Sequence, residues 1–220
     1  FKIKQIEEVR TMKKEEHDNP SKNAQIEEFL SARYEFRYNT VLHRAEYHPR
    51  GTGDYTAVDR YRINTLKRAL DKEADVQTSP ENLYSIIESD FSPRINPVQA
   101  YFHSLPIMEE AKKGAITALV NCVSLANPEK WREYLTKWLV AVVANVMDDR
   151  QCRNHTCLVL TGEQGKFKTT FLDLLCPPAL SDYQYTGKIY PQEKDVLSLI
   201  GQNLIINIDD QLKSLNKRDE

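Results

Sequence analysis

Cys157-Leu158-Val159-Leu160-Thr161, followed at once by Gly162-Glu163-Gln164-Gly165-Lys166-Phe167-Lys168-Thr169-Thr170, is the stretch that decides the fold. Five residues, mostly apolar and unbroken, with turn chemistry directly behind them, read as a buried strand. Residues 168–175 then read as a helix, stopped by Cys176-Pro177-Pro178. A strand, a glycine-bearing loop and a helix in that order make a place for phosphate. Backbone N–H groups of the loop turn inward onto oxyanions at the positive end of the helix. Gly162, Lys168 and Thr169 stand in the register Gly-x-x-x-x-Gly-Lys-Ser/Thr, with Phe167 where the second glycine belongs. Gly162 and Gly165 supply backbone freedom, Lys168 a cation for the β/γ-phosphates, and Thr169 a hydroxyl for Mg²⁺. Glu163, Gln164, Lys166, Phe167 and Thr170 complete the loop, and the Phe167 Cβ sits where a close backbone approach is wanted.

Downstream, Leu204-Ile205-Ile206-Asn207-Ile208 is a second apolar strand, and it ends in Asp209-Asp210. Ligands of open α/β sheets bind beyond the carboxyl ends of the strands. Asp209 is therefore the expected Mg²⁺ carboxylate and Asp210 the group that orients or deprotonates water, which makes Lys168, Asp209 and Asp210 the catalytic candidates. Tyr183, Tyr185 and Ile189 suggest strand pieces around Gly187, and residues 195–200 a short helix. Alternating strand and helix predicts an α/β domain with parallel strands, a P-loop NTPase core binding ATP and Mg²⁺.

Upstream the pattern is mainly helical. Trp131, Leu135, Trp138, Leu139, Val142 and Val143 form one apolar stripe, read as core packing, in a helical stretch 109–149 broken at Asn127-Pro128. Ser79-Pro80-Glu81 is a helix start, and Ile26, Phe29 and Leu30 mark an amphipathic helix over 23–33. Tyr34-Glu35-Phe36-Arg37-Tyr38 alternates as a half-buried strand and turns through Asn39-Thr40 into 41–47. A helix is expected over 58–70. The expected organisation is a solvated leader over 1–22, a small α+β accessory region over 23–106, a helical lead-in over 107–150 and the NTPase core over 151–220.

Residues 33–70 carry eight cations against four carboxylates, with five of the chain's 11 tyrosines among them. Cations that track phosphates, interleaved with rings that stack bases, suit a single strand. Arg37, Arg44, Arg60, Arg62, Tyr47 and Tyr55 are the candidate nucleic-acid residues, set against the plainer reading of tyrosines facing a core and arginines facing water. Over the whole chain 30 basic residues meet 32 acidic ones, so a nucleic-acid surface has to be local. No apolar run reaches the length of a membrane span. The four cysteines show no Cys-x-x-Cys spacing. Cys152-x-x-His155-x-Cys157 is half a metal site without a second half, so reduced thiols in a cytoplasmic protein are expected, with Cys157 buried.

Several pieces together resemble the virulence-associated E family of phages, integrated islands and transposons. They are Arg37-Tyr38-Asn39, Ser89-Asp90-Phe91 with Asn96-Pro97 and Tyr101-Phe102, Lys137-Trp138-Leu139-Val140 with Val143, Gly162-Glu163-Gln164-Gly165, and residues 204–210. The resemblance runs from about residue 25 to the C-terminus. It implies a P-loop ATPase related to hexameric phage and viral replicative helicases, often joined to a primase-like region. Lys168 and Thr169 match the family's Walker A residues, Asp209 and Asp210 its Walker B pair, while Phe167 departs from the usual glycine. It also implies a ring of subunits acting on single-stranded or forked DNA in replication of a mobile element or prophage. The sensor strand and arginine finger expected of such motors would lie after residue 220, so the chain reads as a fragment with little turnover of its own. The competing reading is a non-catalytic DNA-binding or assembly module with a degenerate nucleotide site, supported by Phe167 and Asp210.

Overall fold

A computed structural model describes residues 20–106, 114–148, 156–190 and 192–208. Asp209, Asp210, Cys152 and His155, and the leader up to residue 19, lie outside the described residues. The fold is mixed α/β, in two compact units, residues 1–95 and 96–220.

In the first unit, helix α1 (Lys22–Arg33) begins because the Ser21 hydroxyl accepts the N–H of Ala24. It buries Ile26, Phe29 and Leu30. Tyr34 leaves the helix in extended geometry and opens β1 (Tyr34–Asn39), which pairs antiparallel with β2 (Arg44–Pro49). The turn between them is built by Asn39, whose Oδ1 accepts the N–H groups of Val41 and Leu42, both at 3.0 Å. Two short strands flank the hairpin: β3 (Thr56–Ala57) runs antiparallel to β2, and β4 (Arg94–Ile95) parallel to β1. The sheet order is β3-β2-β1-β4. Neither two-residue strand is long enough to leave a period-two signature in sequence.

Helix α2 (Arg60–Ala74) is capped by Asp59, which accepts the Arg62 N–H, and ends where Asp75 turns left-handed at φ 53°. Its span thus differs from the expected 58–70 because the caps, not the apolar residues, set the ends. Helix α3 (Pro80–Ile87) starts at Ser79 with Pro80 in its first turn, as expected. Ile26, Leu30, Ile63, Leu66, Leu70, Leu83 and Ile87 form one core, each at most 1% exposed. Each such side chain stabilises the fold by roughly 1.5–3 kcal/mol relative to exposure.

The second unit holds α4 (Pro97–Ser104), α5 (Ala115–Asn121), α6 (Pro128–Met147), α7 (Lys168–Asp173) and α8 (Val196–Gln202). Strands β5 (Gln184–Gly187) and β6 (Ile205–Ile208) pair in parallel, joined through α8, so the β-α-β pattern expected at this end is present. Trp131 and Leu135 of α6 are buried with Val120; Trp138 and Leu139 pack against them. Val143, expected in the same stripe, is instead 39% exposed. Of the helical stretch expected over 109–149, residues 109–113 and 149 fall outside the described residues. Among the described residues no helix is long and apolar enough to cross a membrane.

One expectation is corrected. Residues 157–161 make no sheet ladder with any described residue, and Val159 is 49% exposed. Leu158 and Leu160 alternate inward onto the Trp131–Leu135 cluster, and Phe171 and Leu175 pack there as well. The apolar side chains thus find a helix to cover them, while β6 spends its described pairing on β5. Cys157, expected to be buried, is exposed because it falls on the outward side of that alternation.

Candidate functional site

The loop from Thr161 to Phe167 is exposed throughout, and Lys168 and Thr169 are half-buried where α7 begins. Three of its residues hold positive φ: Gly162 at 149°, Gly165 at 78° and Phe167 at 55°. Glycine adopts such angles without penalty. Phe167 does not, and the sequence-level mismatch at this position is realised as a left-handed phenylalanine with its ring 79% exposed. Phe167 also offers no side-chain acceptor at the N-cap of α7.

The Lys168 side chain folds back over the loop. Its ammonium donates to the carbonyl oxygens of Gly162 at 3.1 Å and Glu163 at 2.7 Å. An ammonium carries three N–H donors, and these two acceptors take two of them. Lys166 and Glu163 form an exposed ion pair at 3.6 Å, a contact of small energetic weight. Gln164, Gly165 and Thr170 lie on the exposed loop and first turn. Nothing crowds Gly162 or Gly165: a Cβ on either would meet no atom within 4 Å.

Asp173, at the other end of α7, was not singled out in the sequence. Its Oδ1 accepts from Thr186 Oγ1 at 2.6 Å, Asn207 Nδ2 at 2.7 Å and Gln184 Nε2 at 3.2 Å. Gln184 also donates to the Asp173 carbonyl at 3.1 Å, and Asn207 to the Thr169 carbonyl at 3.3 Å. Helix α7 buries no residue fully. Its placement on β5 and β6 therefore leans on this polar junction, together with Phe171 against Trp131. The one available sequence signal was Asn207, a polar residue inside an apolar strand, which must find partners when buried.

Five of the six candidate nucleic-acid residues of the first unit are already engaged, Arg60 being the exception. Arg37 donates twice to Glu46 Oε2, at 2.9 and 2.7 Å, and lies 3.8 Å over the Tyr55 ring. Arg44 and Asn39 hold Glu46 Oε1 at 2.9 and 3.0 Å. Burial alone would raise the Glu46 carboxyl, but the hydrogen bonds from Arg37, Arg44 and Asn39 outweigh it and hold the group below its usual range. Arg62 is paired with Asp59 at 2.7 Å. Tyr47 stacks on Phe36 at 5.5 Å, and Tyr55 meets His48 edge-on at 4.4 Å; burial pushes both phenols up. Arg60 is exposed and makes no ion pair among the described residues.

Among curated proteins no match is found. The virulence-associated protein E-like domain family matches residues 109–220, just over half of the chain and all of the loop, α7 and β6. The chain, from the lead-in helices through the loop and the β-α-β unit behind it, therefore belongs to the virulence-associated protein E-like domain family.

Proposed function

We propose that residues 162–170 form the phosphate-binding loop of an ATPase of helicase type, working on DNA in the replication of a phage or other mobile element. The observation that carries this reading is Lys168, whose ammonium is drawn across a loop with three left-handed residues. The family match supports it, since the loop lies inside the matched residues. In this reading the backbone N–H groups of 163–168 cradle the β-phosphate of ATP, and Lys168 exchanges a carbonyl partner for a phosphate oxygen. Thr169 and Asp209 would hold Mg²⁺, which would supply charge neutralisation to the phosphates. Asp210 would orient the attacking water. Turnover coupled to movement along DNA belongs, in this reading, to a ring of subunits of the full-length protein.

Titration with a fluorescent ADP analogue and Mg²⁺ tests the loop. Wild-type protein should bind, and Lys168→Ala should lose that binding with its melting temperature unchanged; equal titrations would refute the assignment. Phe167 favours a second reading, a nucleotide site that has degenerated in a DNA-binding or assembly module. A left-handed non-glycine residue is strained by roughly 1–2 kcal/mol, and glycine's greater chain entropy offsets about half of that. Stability should thus rise by roughly 0.5–1 kcal/mol in Phe167→Gly, whereas nucleotide affinity should rise if the side chain obstructs the loop. Binding that appears only in Phe167→Gly would favour the degenerate site.

A further inference from the structure

The described arginines of the first unit divide into two groups. Arg33, Arg37, Arg44, Arg50 and Arg62 each sit in an ion pair, and Arg94 lies over the Tyr38 ring. Arg60 and Arg68 have no carboxylate partner among the described residues, and both lie on the exposed side of α2. Ile63, Leu66 and Leu70 face the core from this helix. At 100° per residue, the direction opposite to them is occupied by Tyr61, Arg68 and Lys72, with Thr65 on one side and Asn64, then Asp71 and Arg60, on the other. The face therefore presents three cations to one carboxylate. Glu73 is turned elsewhere and held by Arg33 at 3.2 Å.

Tyr61 adds a second, independent feature. It is 79% exposed, far more than any other large apolar side chain described in this unit, and shows no ring contact there. An aromatic ring left open in water beside unpaired guanidinium groups is what a base-stacking platform requires. Arg60, Asn64, Arg68 and Lys72 follow at successive i+4 steps, about 6 Å apart along the axis, on the scale of an extended nucleotide chain. The amide of Asn64 brings both a donor and an acceptor for a base edge.

We infer that the outward face of α2, with Arg60, Arg68 and Lys72 on phosphates and Tyr61 under a base, is a single-strand nucleic-acid contact surface. This deepens the proposed function by placing its DNA partner; it rests on that partner and not on the nucleotide loop. Arg37, Arg44 and Arg62 are thereby relieved of the role, since their charge is spent on Glu46 and Asp59.

Anisotropy titrations of a labelled oligothymidylate at several salt concentrations test it in the full chain. Each phosphate contact contributes about 0.7 to the slope of log affinity against log salt, so Arg68→Ala/Lys72→Ala should flatten it by about 1.4. Tyr61→Leu should weaken binding roughly ten-fold with the slope unchanged. Lys130→Ala/Lys137→Ala, a charge-matched pair on α6, should leave both quantities as in wild type. All these positions are exposed, so melting temperatures report that folding is intact. Wild-type binding with an unaltered slope in the α2 pair, or equal flattening in the α6 pair, overturns the α2 surface while leaving a DNA partner standing. No association of wild type at low salt overturns both the surface and the DNA partner, and leaves the nucleotide titration of Lys168 untouched.

Discussion

Glu46 shows how a charged residue is kept inside a sheet. It is 3% exposed and takes four hydrogen bonds, from Arg37 twice, Arg44 and Asn39. Removing one partner leaves buried charge under-compensated, which costs more than the pair contributes. Arg37→Ala is therefore expected to lower stability by about 1.5–3 kcal/mol, measured by urea unfolding at neutral pH. The sign with pH follows from the depressed carboxyl. Its stabilisation is present above the ordinary value of 4.5 and is lost as pH falls below that value through the folded-state one. Unfolding midpoints should drop in that acid window in wild type. In Glu46→Gln the window should be flatter, because the titrating group is gone. The sequence contained all four residues but gave no sign of the cluster: Arg37 and Glu46 are nine positions apart, and only the antiparallel register sets them opposite one another.

Among elements, α7 depends on polar anchoring. Six residues are too few to be a stable helix alone, and none of its side chains is fully buried. Asp173 accepts three side-chain donors from β5 and β6, and Asn207 links the same strand to the Thr169 carbonyl. Asp173→Ala leaves the buried Asn207 amide short of an acceptor, at a cost of about 1–3 kcal/mol. The same change should loosen the start of α7 and so weaken Mg-nucleotide binding. Asp173→Asn keeps Oδ1 as the acceptor of all three donors and should bind nearly as wild type does; if Asp173→Ala also binds as wild type does, the junction serves stability alone. The loop motif was legible because spacing carries it. The junction was not, because Asp173, Thr186 and Asn207 are brought together only by a parallel pairing across α8.

At the scale of the whole chain, the first unit has a core of its own. Every residue of its main cluster, from Ile26 to Ile87, lies within residues 20–95. A protein comprising residues 20–95 is expected to fold by itself with a single cooperative melt. Leu70→Ala should lower its stability by about 2–5 kcal/mol, since Leu70 is fully buried. A broad, non-cooperative melt of the parent fragment would refute this. By itself the sequence determined what short-range chemistry controls. Ser79-Pro80 began a helix, Asn39 made a turn, and apolar spacing marked α1 and β6. Tertiary structure decided which charges remain available. Arg37, Arg44 and Arg62 look alike with Arg60 and Arg68 in sequence, yet the first three face carboxylates and the last two face water. It also decided that Leu158 and Leu160 are covered by a helix, with no described strand paired to residues 157–161. Pairing and burial depend on which distant residue arrives opposite, and no local pattern encodes that.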